Sequence, residues 1–75
     1  MTDQPFNARA FSVLGFANPG DDIDATTPLF AAYSPSLLDA QADRDAYRAA
    51  YPNLRLWVVV DHATGKRTLT LGAIA

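Results

Sequence analysis

The chain has no cysteine, no glutamate, one histidine, one tryptophan and one lysine among its 75 residues. Without cysteine there is no disulfide framework, no thiolate metal site and no thiol nucleophile. Without glutamate, the distal ligand of a helix–loop–helix calcium site is missing. With a single histidine, any histidine-based relay would depend on His62 alone. Long apolar runs are also absent, and none approaches the roughly 18 residues that a membrane span needs. The start, Met1-Thr2-Asp3-Gln4-Pro5, has no basic region ahead of the short and mixed stretch from Phe11 to Phe16, so no export signal is read there. Together these absences make an enzyme the poorest of the function classes. They lead to the expectation of a cytoplasmic protein with no membrane partner, no cofactor and no metal.

What is present is the composition of a folded chain, 49% hydrophobic and 19% charged, rather than of a disordered tail. The length is that of one small domain, 1–75, which buries little surface for its size. Residues 1–8 are expected to be a flexible N-terminus, and 17–27 a long acidic loop. Abundant alanine with a single lysine and no glutamate is the usage expected of a GC-rich bacterial or phage coding sequence. The net charge is −2 but unevenly spread. Residues 1–51 carry three arginines against seven aspartates, and residues 52–75 carry Arg55, Lys66 and Arg67 against Asp61 alone. The acidic balance speaks weakly against non-specific nucleic-acid binding.

The clearest element is a C-terminal β-hairpin with arms Leu54–Asp61 and Arg67–Ile74. Asp61 can accept from backbone N–H groups just ahead of it, and Gly65 can supply a positive φ. A four-residue loop, His62 to Gly65, then closes with Asp61 opposite Lys66. Counting back, Val60 faces Arg67, Val58 faces Leu69, Leu56 faces Leu71 and Leu54 faces Ala73. The other face pairs Arg55 with Gly72, Trp57 with Thr70, and Val59 with Thr68. Period-two alternation makes the first face aliphatic and the second mixed.

Upstream, Ala10–Phe16 reads as a first strand, in which Gly15 marks a bulge or a close approach. Its inward face is open between Phe11/Val13 and Leu14/Phe16, which a one-residue slip exchanges. The turn formers Ala17-Asn18-Pro19-Gly20-Asp21-Asp22 end it. Pro28 to Tyr33 is expected to be a short helix, stopped at Ser34-Pro35. A main helix begins at Ser34 or Ser36 and runs to Ala50 or Tyr51, where Pro52 stops it. Its Leu38, Ala42, Ala46, Ala49 and Ala50 form a narrow stripe flanked by Tyr47. That stripe is expected to lie on the Leu56/Val58/Leu69/Leu71 face, with Asp39, Asp43, Arg44 and Arg48 in water. The fold class is therefore α+β: a small two-layer sandwich in β-α-(α)-β-β order. Its three-stranded, mostly antiparallel sheet is covered on one face by the main helix. A helical connection joining strands of one sheet is expected to cross over right-handedly.

Candidate chemistry is sparse. His62 sits at a hairpin tip beside Asp61 and reads as a turn residue, with no serine in a nucleophile-elbow setting. Thr64-Gly65-Lys66 evokes a phosphate loop, but Val60 stands where the leading glycine belongs and Arg67 where Ser or Thr must follow. Asp21-Asp22-Ile23-Asp24 lacks the alternation of a cation loop and reads as solvated. The binding residues are expected to be Arg55, Trp57, Val59, Thr68 and Thr70, with Lys66 and Arg67 at the hairpin end. Tryptophan and arginine are the side chains most enriched at binding hot spots. The competing structural reading folds Phe6, Phe11 or the short helix over Trp57. The expected function is non-catalytic: a small accessory or inhibitor protein that docks another protein, or itself as a homodimer, through the open sheet face. The alternative is a single-stranded nucleic-acid module that uses Trp57 with Arg55 and Arg67.

Overall fold

The structure, a computed structural model, describes residues 9–72. Five elements follow one another: β1 (Phe11–Phe16), β2 (Phe30–Ser34), α1 (Leu37–Ala50), β3 (Leu56–Asp61) and β4 (Arg67–Leu71). The strands form one antiparallel sheet in the order β2-β1-β3-β4. The fold class is α+β as expected, but the sheet has four strands and not three.

The extra strand is β2, in the segment expected to be a short helix. Six residues between Pro28 and Pro35 are too few to hold a helix that has no neighbours of its own. As a strand, the same residues complete a ladder with β1, from Gly15 opposite Phe30 to Phe11 opposite Ser34. Phe30, Ala32 and Ser34 then turn inward while Ala31 and Tyr33 turn out. The period of two was present in Phe-Ala-Ala-Tyr-Ser but masked by alanine at both central positions.

The hairpin register is the one derived from the turn. Leu56 faces Leu71, Trp57 faces Thr70, Val58 faces Leu69, Val59 faces Thr68 and Val60 faces Arg67. At the turn the Asp61 N–H donates to the Lys66 carbonyl at 2.9 Å, and the Gly65 N–H to the Asp61 carbonyl at 2.7 Å. The Asp61 carboxylate accepts from the Ala63 N–H at 2.9 Å, and Gly65 has φ +76°, the left-handed region that glycine enters without penalty. The expected Leu54–Ala73 pair and the flexible stretch 1–8 lie outside the described residues.

Helix α1 begins as read. Ser36 is its N-cap and accepts from the Asp39 N–H at 3.1 Å, and the Tyr51 N–H closes the last turn on the Tyr47 carbonyl. Its placement differs from expectation. The helix packs on the Trp57/Val59 face, not on the Leu56/Val58/Leu69/Leu71 face, and it buries Ala40, with Tyr47 packed alongside. The small-residue stripe points to water, and Leu38 at its head is 76% exposed.

Area explains the choice. A buried aromatic ring removes about 150–250 Å² from water, worth roughly 4–6 kcal/mol as an upper bound, against ~1 kcal/mol for an alanine methyl. Seating Tyr47 downward closes a cluster in which Phe30 lies 4.5 Å from Tyr47, 5.2 Å from Tyr51 and 5.5 Å from Trp57 between centroids. The same rotation draws three of the four charged side chains expected in water onto the flank. Asp43 is half-buried and accepts from the buried Ser34 hydroxyl at 2.7 Å. Arg44 and Arg48 lay their stems against the fold and reach Asp45 at 3.1 and 3.0 Å. Arg44 first and Arg48 second hold that carboxyl below its ordinary value.

Strand β1 is therefore buried on both sides, and its two rival inward faces are both used. Phe11 and Val13 lie under α1 with Trp57 and Val59. Phe16 and Leu14 join Leu56, Val58 and Val60 on the opposite face, where Ile23 of the 17–29 connection folds over them.

Candidate functional site

Trp57 is not a surface residue. It is completely buried beneath α1, in a cluster with Phe30, Tyr47 and Phe11, the last of these among the residues expected to fold over it, and its Nε1–H donates to the Leu54 carbonyl at 2.9 Å. Phe6 lies outside the described residues. Val59 is core as well. The expected binding face is thus the inner face over β1 and β3, and the expected residue set divides. Lys66 and Thr68 remain accessible on the helix side of β4, with Thr70 half-buried beside them. Arg67 alternates to the opposite face and pairs with Asp24 of the 17–29 connection. Arg55 stands near the far end of the hairpin, in a shallow recess with Pro19, Leu71 and Gly72. The stacking arrangement of Trp57 with Arg55 and Arg67 does not form, because the ring is enclosed and Arg67 lies across the sheet from it.

The expected residues that stay accessible, Lys66, Arg67 and Thr68, lie on or beside β4, an edge strand of the sheet. Helix α1 packs on β1, β2 and β3 but leaves β4 uncovered. A groove of about 250 Å³ follows, lined by Phe11, Leu37, Gln41, Val59, Asp61, Lys66 and Thr68. Across the strand, Leu69 and Leu71 are 55% and 54% exposed. The edge thus has an open groove on one side and two bare leucines on the other.

The hydrogen-bond phase of this edge follows from the two ends of the hairpin. Asp61 N–H bonds to Lys66 O, and Gly72 N–H bonds to Arg55 O at 2.7 Å. In an antiparallel ladder bonded pairs recur every second residue. Lys66, Thr68, Thr70 and Gly72 therefore face β3, and the N–H and C=O groups of Arg67, Leu69 and Leu71 point away from the sheet. The other edge, β2, is different. The His62 N–H bonds to the Ala10 carbonyl at 3.1 Å, which sets β1's phase and leaves only Ala31 and Tyr33 pointing outward. Pro28 and Pro35 bracket that strand, as prolines do on edges kept unpaired.

Among the polar pairs that sequence reasoning missed is that of Ser12 with His62. Ser12 Oγ and His62 Nε2 lie 2.6 Å apart and share a hydrogen bond. Fifty residues separate them, and only the β1–β3 pairing of Ser12 with Val60 brings them together. The Ser12 hydroxyl sits in a residue 6% exposed. Among the described residues no carboxylate is bonded to the ring; the Asp61 carboxylate is engaged by Ala63. Among the described residues there is also no group of acidic, histidine or cysteine side chains that could hold a metal ion, and no helix is long and apolar enough to cross a membrane.

Comparison with known proteins returned no matching family model, no matching curated protein and no matching solved structure.

Proposed function

We propose that this chain is a non-catalytic protein-binding domain that receives an extended segment of its partner along the β4 edge. The observation that carries this reading is the pair of bare leucines, Leu69 and Leu71, beside three outward backbone rungs and an uncovered groove. Strand addition obtains its affinity from main-chain hydrogen bonds and its specificity from side chains that alternate between the two faces. Here one set of partner side chains would meet Leu69 and Leu71, and the other would enter the groove between Leu37 and Thr68. The enclosed Ser12 hydroxyl supports a binding role over catalysis, since a nucleophile must be reached by its substrate.

The test is selection from a random linear peptide library, with binders mapped by amide hydrogen exchange. Selected peptides should protect Arg67, Leu69 and Leu71, and should lose binding to a Leu69→Pro variant. That variant deletes an outward N–H and no β3–β4 bond. Binders that map to the outward face of α1 around Leu38, or that ignore Leu69→Pro, would refute the reading. Tight binding of a labelled single-stranded oligonucleotide, falling steeply with salt and on Arg55→Ala, would replace it with the nucleic-acid alternative.

A further inference from the structure

We infer that the strand that docks on β4 is the β4 strand of a second copy, paired antiparallel about a two-fold axis at Leu69. This rests on the strand-addition reading and goes beyond it by naming the partner and the register. A two-fold pairing must place one residue opposite its own copy. Centring on Leu69 puts Leu69 opposite Leu69 and Arg67 opposite Leu71, so all three outward rungs of each chain are engaged. Centring on Thr68 sets Leu71 opposite Gly65 of the turn, and centring on Thr70 sets Arg67 opposite position 73, outside the described strand, so neither pairs all three rungs within β4. Only the Leu69 register uses the strand fully, and the result is one continuous eight-stranded sheet.

The charges of the edge agree with this register. Lys66 and Arg67 are the residues that ordinarily keep an edge from pairing. Here Lys66 falls opposite Gly72 and Arg67 opposite Leu71 of the other copy, and neither meets its own kind. The two Arg67 positions stand four residues apart along the seam, roughly 14 Å at strand rise, beyond the screening length of about 8 Å at physiological salt. Each Arg67 is also matched by Asp24 of its own chain. On one face the pairing joins Leu69 and Leu71 of both copies into a four-leucine cluster. On the other it sets Thr68 beside Thr70, a cross-strand pair that favours sheets. The area gained suits a chain this small, whose own core is modest.

Light scattering on a size-exclusion column at several concentrations tests the association, with amide exchange locating it. A mass approaching twice 8.1 kDa is expected, together with concentration-dependent protection of the Arg67, Leu69 and Leu71 amides. Leu69→Lys, which sets two ammonium groups directly opposite each other, should weaken association by about tenfold or more while circular dichroism stays native.

Because the chain has no cysteine, engineered thiols report the register without background. A mixture of Thr68→Cys and Thr70→Cys chains should form the mixed disulfide under mild oxidation, since that pair would lie about 4.5 Å apart at Cα. Thr68→Cys alone should not, because its own copy is about 8 Å away and outside disulfide range. A monomer at every concentration overturns self-pairing and leaves the peptide selection to judge strand addition. A dimer whose β4 amides exchange freely, or which ignores Leu69→Lys, likewise overturns self-pairing, and strand addition is again judged by the peptide selection.

Discussion

The Trp57 indole lies directly over Gly15, and a Cβ added to that glycine would stand 2.9 Å from two of the ring carbons and 3.0 Å from Leu54 Cδ1. The two residues face each other across the β1–β3 pair. The glycine is the space that the tryptophan occupies. Trp57 is in turn the fully buried member of the aromatic cluster that holds α1 down, so one missing side chain in β1 sets the seat of the helix.

Gly15→Ala should therefore destabilise the fold by about 1–3 kcal/mol through overpacking, because the ring is wedged between Phe30, Tyr47 and Leu54 and has nowhere to move. Urea unfolding followed by circular dichroism measures it. An effect below a few tenths of a kcal/mol would show that the ring is not in contact.

Trp57 fluorescence should be blue-shifted and poorly quenched by iodide in the folded chain. Trp57→Ala should cost about 3–5 kcal/mol, enough to unfold most of a domain this small, whereas Trp57→Phe should retain a cooperative transition. A folded, stable Trp57→Ala protein would place the ring at the surface and reverse the core assignment.

The Ser34–Asp43 pair should respond asymmetrically. Ser34→Ala leaves Asp43, which water reaches, and should cost about 1 kcal/mol; Asp43→Ala leaves the buried Ser34 hydroxyl without its acceptor and should cost more, about 1–3 kcal/mol. Thermal melts of the two variants side by side decide the order. Equal losses would mean that the hydroxyl finds another acceptor.

Gly65→Ala should cost ~1 kcal/mol, since the residue sits at φ +76° and a side chain there strains the backbone. Gly20→Ala is the control. Nothing lies within 4 Å of the Cβ it would gain and its φ is ordinary, so its effect should stay within about 0.5 kcal/mol. Chemical denaturation of both variants under one buffer condition makes the comparison.

The hairpin, its register and its turn were legible because every determinant is local. Asp61, Gly65 and the alternation on either side lie within about a dozen residues and act through the backbone. The main helix was legible for the same reason: Ser36 and Pro52 mark its ends, and neither mark depends on what the helix touches. Strand β2 was not legible, because Ala31 and Ala32 are neutral between the two periods and the ladder that decides for a strand belongs to β1. Of the expected site, the β4 residues proved accessible and the β3 residues proved core, although both came from the same alternation.

That division shows where the amino-acid sequence stops. Alternation places Trp57, Val59, Thr68 and Thr70 on one face by backbone geometry alone, whatever lies above them. Which face the helix covers, and how far across it reaches, is decided by area summed over residues distant in the chain: Phe30, Tyr47, Tyr51 and Trp57 outweigh a stripe of alanines. The meeting of Ser12 with His62 and the bare edge at β4 likewise exist only once four strands have taken their order. The sequence by itself determined the hairpin with its turn and register and the ends of the main helix, because these rest on neighbours along the backbone. Tertiary structure alone decided burial and exposure, because the hydrophobic gain is a property of surfaces assembled from the whole chain.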